Sequence, residues 1–309
     1  MQNEAPVLLI LFNRPELARV VLNAIRQAKP KKLYLSCDGP RADKYETDWP
    51  LIAENHKLAE EVDWDCEVHT RFLTENHGCG PAPSSGVSWV LENEDRVIVL
   101  EDDCVPSQSF FSFCNELLER YKDDNRFMTV AGTRRSEDYP IDNCDYFYTR
   151  YANISGWATW KRAWQQYDYW LTDYPLFKEN KILNTVFCDN AALVKRWTFL
   201  FDNAYNLGKN QKHAWDYQWQ YAHFKYNCYS INTVKNLVTN IGVYGVHGED
   251  ENSDIYNRQA FEIATYALRA PLFPYPEYGF DAYHGRRYYL KDRNNLKILY
   301  DHISSKTNL

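Results

Sequence analysis

The chain has no apolar stretch that approaches the ~20 residues of a membrane-spanning helix. Its early run Val7–Phe12 (VLLILF) is too short for a signal peptide and has no basic start before it. A cytoplasmic location is therefore expected. The eight cysteines include no C-x-x-C pair, and several (Cys37, Cys104, Cys114) fall in or beside core-like segments, so they read as reduced thiols. There is no excess of positive charge: Lys and Arg number 35 against 42 Asp and Glu, a net charge of −7, which excludes a general nucleic-acid binder. No G-x-x-x-x-G-K-[ST] loop is present, which excludes a P-loop nucleotidase, and no G-x-G-x-x-G follows the first strand, which excludes a dinucleotide oxidoreductase. No G-x-S-x-G elbow supports a serine hydrolase. There is neither an internal repeat nor a low-complexity segment.

What is there is enough for a large core. The 309 residues, 45% of them hydrophobic, suit one large α/β domain or two smaller ones. Aromatic content is high at 16%, and its excess lies mostly after residue 145. Aromatic rings suit sugar faces, but they also fill cores. Pro6 to Phe12 reads as a buried strand, Asn13-Arg14-Pro15-Glu16 as a turn, and Leu17, Val20, Val21, Ala24 and Ile25 recur at helical spacing. Leu33 to Ser36 reads as a second strand, closed by Cys37-Asp38-Gly39-Pro40. Strand, helix, strand is the unit of an open parallel sheet, which carries its ligand loops at the strand C-termini. A helix is expected over 49–62, a strand over 66–69, a Gly/Pro/Ser loop over 75–86 and a short helix over 87–92. Further on, a helix is expected over 110–121, a strand over 127–131 and helices over 190–207 and 217–224.

The most informative stretch is Arg96 to Ser107, RVIVLEDDCVPS. A β-branched run, Val97–Leu100, leads directly into Glu101-Asp102-Asp103. Three ionised acids repel one another and lose hydration unless a cation compensates. A divalent metal would do so: Mg²⁺ sites combine one or two carboxylates with substrate phosphates and water. The alternative is an acidic loop in solvent. In a parallel sheet the turns after successive strands share one edge, and here they hold Asn13-Arg14, Asp38-Gly39 and the acid triplet. One arginine and several acids around one cleft suit a nucleoside diphosphate with a bridging metal.

Taken in order, FNRP after strand one, SCDGPR after strand two, VLEDDCVPSQSFFSF, SGWATWKRAW and AWDYQW resemble the GT-A glycosyltransferases, and among them the N-acetylglucosaminyltransferase I type and its bacterial relatives. The resemblance covers residues 7–220. It implies an α/β, Rossmann-like GT-A fold with a mostly parallel sheet flanked by helices. The catalytic domain would span 1–235, and a smaller acceptor-side region 236–309. It implies that Arg14 contacts the base, that Asp38 is the acid after strand two, and that Asp103, the last acid of a DXD-like motif, holds Mn²⁺ or Mg²⁺. Glu101 and Asp102 would then face ribose and donor sugar, with Asn13 and Gly39 beside the nucleotide. Asp216, after Trp215, falls where the family has its general base, although the family's second adjacent acid is replaced here by Tyr217. Trp157, in a Gly-aromatic turn, would lie near the donor sugar, and His247, in a glycine-rich surround, would complete the metal or diphosphate site.

The activity so implied is inverting, metal-dependent transfer of a sugar from a nucleotide-sugar donor, UDP-linked by preference, to a hydroxyl of a carbohydrate or glycolipid acceptor. Polysaccharide or glycolipid assembly is the implied setting. No nucleic-acid partner is expected, and a peripheral membrane contact stays open. Two alternatives are a sugar-nucleotide nucleotidyltransferase, for which a Gly-rich basic loop after strand one is missing, and a non-catalytic carbohydrate-binding protein on the same scaffold.

Overall fold

The computed structural model describes residues 4–208, 214–242, 258–264 and 267–290. Its centre is an eight-stranded sheet in the order β3-β2-β1-β4-β8-β6-β9-β7. These strands are β1 (Val7–Leu11), β2 (Lys32–Cys37), β3 (Glu67–Phe72), β4 (Arg96–Glu101), β6 (Phe127–Ala131), β7 (Tyr146–Thr149), β8 (Trp157–Trp160) and β9 (Tyr229–Thr233). The first four run parallel, β8 is antiparallel to β4 and β6, β9 follows β6 in parallel, and β7 closes the sheet antiparallel to β9. Thus six strands share one direction, and the expected mostly parallel α/β architecture is what the structure shows. Two short strands, β5 (Cys104–Pro106) and β10 (Val238–Asn240), form a separate antiparallel ribbon.

Successive residues of β1 are all buried, as are Val97 to Leu100 of β4. A strand apolar on both pleat faces needs cover on both. Helix α1 (Pro15–Ala28) packs with α2 (Tyr45–Lys57) and α4 (Gln108–Arg120), while α3 (Pro81–Asn93) packs with the short α5 (Lys161–Trp164). The expected 75–86 loop is thus half helix. Pro81 starts α3 at a position where its missing N–H is no loss, and the Ser84 and Ser85 hydroxyls donate to the Gly80 and Pro81 carbonyls at 2.9 and 2.6 Å.

Much of the late aromatic excess is core, although Trp170, Phe273, Tyr275 and Tyr278 are exposed. Short helices α6 (Tyr174–Glu179) and α7 (Ile182–Val186) join α8 (Ala191–Gly208) and α9 (Asp216–Lys225) around a second cluster that includes Trp197, Phe201 and Phe224. Each large apolar side chain so buried contributes on the order of 2 kcal/mol. All eight cysteines are free, and no helix among the described residues is long and apolar enough to cross a membrane.

The described residues beyond 235 pack against the sheet and its helices. β10 pairs with β5, and the Glu262 carboxylate accepts the N–H groups of Gln108 and Ser109 at 2.8 Å each, capping α4. Helix α10 (Tyr278–His284) carries Asp281, which is buried and accepts the Thr149 hydroxyl at the end of β7. Burial pushes its carboxyl up to about 7, against the smaller opposing pull of the Thr149 and Arg150 donors. The folded protein therefore holds this proton more tightly than the unfolded chain. The stability Asp281 contributes is full below the ordinary carboxylate range and is lost as pH rises through about 7, on the order of 4 kcal/mol. Asp281→Asn is expected to flatten the fall in melting temperature between pH 5 and pH 8, read by thermal denaturation.

Candidate active site

Because β1, β2, β3, β4 and β6 share a direction, their exits meet at one edge. Arg14 follows β1 and the acid triplet follows β4, and the two are in contact. Arg14 Nε donates to Asp102 Oδ2 at 3.1 Å, Nη2 pairs with Asp102 Oδ1, and Nη2 lies 3.1 Å from Asp103 Oδ2. Burial opposes the Arg14 charge, yet Asp102 and Asp103 hold its pKa above the ordinary value. The triplet is negative even so. Burial, then Asp103 and Asp102, push the Glu101 carboxyl well up, and burial raises Asp102 to about 6 despite Arg14.

Asp103 is the acid over which the chain closes. The ribbon β5–β10 brings Asn240 opposite Cys104, so that Asn240 Nδ2 donates to Asp103 Oδ1 at 3.3 Å and Ile241 N–H to the Asp103 carbonyl at 2.9 Å. Gly242 then passes directly against the carboxylate, where any Cβ would collide with Oδ2. Among the described residues no three His, Cys, Asp or Glu side chains form a ready-made metal cage. The arrangement does fit a hard divalent cation that takes one protein carboxylate and completes its shell from substrate and water. Arg14 contacts two of the three acids, Asp102 and Asp103, and only the lack of a side chain lets Gly242 pass against Asp103 Oδ2. His247, expected to help here, lies outside the described residues.

Asp216 reaches the same edge from far along the chain. Helix α9 turns into β9 through residues 226–228, so it runs back across the sheet and its N-terminus lies near the strand exits. Trp215 stacks on Trp157 at 5.4 Å, the Trp219 indole donates to Thr129 Oγ1 at 2.9 Å, and Gln220 clamps the backbone at Arg150 and Ala152. These anchors aim the first residue of α9, where the helix dipole favours a carboxylate. Asp216 is close enough to add to the raised pKa of Glu101. It also acts on the Cys79 thiol, which is pushed up first by the packing around it and then by Asp216, Asp38 and Glu101. Arg14, the acid triplet, Asp216 and the Asn240–Gly242 segment thus come together at one acidic edge.

Other expected residues are placed differently. Both Asp38 oxygens are taken up in folding the loop after β3: Oδ1 accepts the Gly39 and His77 N–H groups at 2.9 and 2.8 Å, and Oδ2 accepts Gly78 N–H and Asn76 Nδ2 at 3.0 and 2.9 Å. Gly39 permits this approach, since a Cβ there would lie 2.5 Å from the Glu75 backbone. Asn13 donates to Asp48 at 3.0 Å, and Asp48 is also gripped by Arg41, which holds its carboxyl down at about 2. Trp157, expected to face the donor sugar, is a correction: it is wholly buried in β8 among Trp164, Trp215 and Trp219, because the strand points it inward.

Sequence reasoning missed the Arg41–Asp48 pair and the Asn76–Gly78 cradle, which carry no local pattern, and it read the glycine-rich run that holds Asn240 and Gly242 as the surround of His247, not as the cover of Asp103. Asp38→Asn replaces one accepting oxygen by an NH2 donor that faces N–H groups in need of an acceptor, so a loss of about 1–3 kcal/mol is expected in urea unfolding.

No family model and no curated protein matches the chain. Among solved structures, it is similar to S. aureus TarS 1-349, with 11% identity, TM-score 0.36, and coverage of 51% of this chain and 47% of that one. It is also similar to the mannosyltransferase PcManGT from Pyrobaculum calidifontis in complex with GDP-Man and Mn²⁺, with 15% identity, TM-score 0.28, and coverage of 44% and 37%. The chain thus spans less than half the length of either structure, and at these values neither likeness bears on what it does.

Proposed function

We propose that the chain is an inverting glycosyltransferase that moves a sugar from a nucleoside-diphosphate donor to an acceptor hydroxyl of a carbohydrate or glycolipid. The observation that carries this is the meeting of Arg14, the Glu101–Asp103 triplet and Asp216 in one cleft, with Gly242 laid against Asp103.

Asp216 takes the proton from the acceptor hydroxyl as its oxygen attacks the anomeric carbon, and the bond from that carbon to the diphosphate breaks on the opposite side. One attack from behind inverts the configuration, so no second nucleophilic carboxylate is needed. Arg14 serves the nucleotide while it orients Asp102 and Asp103. Glu101 and Asp102 face ribose and donor sugar. Asp38 and Gly39 act through the loop they fold, and Asn13 through Asp48. Asp103 would hold Mn²⁺ or Mg²⁺, which supplies Lewis-acid stabilisation of the departing diphosphate. His247 is proposed as a further contact to that site.

Calorimetry with UDP tests the reading. Binding is expected with Mn²⁺ present and at least about tenfold weaker with chelator. Absence of binding by any nucleoside diphosphate with metal would remove the proposal.

A further inference from the structure

We infer that Arg135 and Arg196 form an oxyanion subsite on the acceptor side of the cleft, so that the acceptor carries a phosphate or carboxylate group near the hydroxyl that reacts. The inference rests on the reading of Asp216 as the base.

Arg135 leaves the end of β6, at the same edge as the acid triplet. Its guanidinium lies over the Tyr288 ring at 6.0 Å, and its Nε is buried with no hydrogen-bond partner. Arg196, on α8, lies against Phe199 at 5.7 Å, and its Nε is also buried without a partner. Neighbouring arginines are neutralised: Arg258 lies 3.6 Å from Glu137, and Arg287 pairs with Asp138. Among the described residues no carboxylate is within ion-pairing distance of Arg135 or Arg196.

The two converge at Tyr289, the last residue of the π-helical turn Gly285–Tyr289. That ring packs on Trp197, next to Arg196, at 4.5 Å, and Trp197 in turn meets Tyr217 at 6.4 Å. After burial, the groups that act most on the Tyr289 hydroxyl are Arg135, Tyr217, Asp216 and Arg196. Arg135 and Arg196, neither with an ion pair among the described residues, are therefore both near Tyr289, which reaches Tyr217 in the first turn of α9 through Trp197. Arg135 also adds, with other arginines, to the burial that keeps His284 neutral.

Holding a guanidinium partly out of water without a counterion is costly, and the cost is recovered when a ligand supplies the anion. The planar fork of arginine suits phosphate and carboxylate alike. The position decides which substrate carries the anion. In an inverting displacement the attacking and leaving oxygens lie on opposite sides of the anomeric carbon. The diphosphate leaves toward Asp103 and Arg14, so an anion held beside Asp216 belongs to the acceptor.

The test is calorimetric titration of glycerol 3-phosphate, glucuronate, glycerol and glucose into protein already saturated with UDP and Mg²⁺. One of the two anions is expected to bind where its neutral counterpart does not, which tells phosphate from carboxylate. Its affinity is expected to fall at least about tenfold in R135A/R196A and to survive largely in R135K/R196K. If the double alanine variant melts below the wild type, the single Arg196→Gln variant, on a half-buried helix face, carries the comparison. Failure of both anions to bind, or unchanged affinity in a folded variant, would overturn the inference. Failure of UDP and metal to bind in the first step bears on the glycosyltransferase reading instead, and titration of the anions without nucleotide still reports on the subsite.

Discussion

Asp216→Asn is expected to lower kcat by about 10³-fold while donor affinity stays near that of the wild type. The carboxamide keeps the shape and hydrogen-bonding capacity of the side chain but cannot accept the acceptor proton. The anchors of α9 are untouched, since Trp215, Trp219 and Gln220 hold the helix through contacts that do not involve Asp216. The loss should therefore fall on the chemical step and spare nucleotide binding. Single-turnover transfer measured beside calorimetric UDP binding separates the two. A variant that transfers sugar at the wild-type rate would remove Asp216 from the reaction.

Asp103→Ala is expected to weaken metal-dependent nucleotide binding by at least about 100-fold and to abolish metal-dependent turnover. The same change relieves crowding in the triplet, because Asp103 is the charge that most raises the Glu101 carboxyl after burial itself. The lost contacts to Arg14 and Asn240 offset that relief, so the fold is expected to survive with a melting temperature close to that of the wild type. This combination of a lost metal response and an intact fold separates a functional acid from a structural one. Metal titration of UDP binding, with a melting curve on the same sample, reads both.

Much of the fold was legible where residues are buried on two faces. VLLIL and RVIVL could only be central strands of a covered sheet, and β6 was expected over the residues it occupies. The aromatic strands were not legible. Trp157, Trp160 and Trp164 fall at helical spacing, but the segment SGWATW is a strand because it fits antiparallel between β4 and β6, where flat rings fill the core. Gly, Pro and Ser residues made 75–86 read as a loop, although proline in the first turn is compatible with a helix.

At the site, Arg14 and the acid triplet were legible because each ends a strand, and strand ends of a parallel sheet converge. The task of Asp38 was hidden, since its partners lie about forty residues further on and are mostly backbone N–H groups. Arg135 and Arg196 stood out in no motif. What marks them is that no carboxylate among the described residues pairs with them, and that is visible only once the chain is folded.

The central claim is sugar transfer with release of a nucleoside diphosphate, and product analysis tests it most directly. The protein is incubated with Mn²⁺ and a panel of nucleotide sugars, and in parallel with nucleoside triphosphates and sugar 1-phosphates. Release of nucleoside diphosphate from one of the nucleotide sugars, with no pyrophosphate in the parallel reactions, is the predicted result. Pyrophosphate formed from a triphosphate and a sugar 1-phosphate, or no nucleoside diphosphate from any donor, would contradict it.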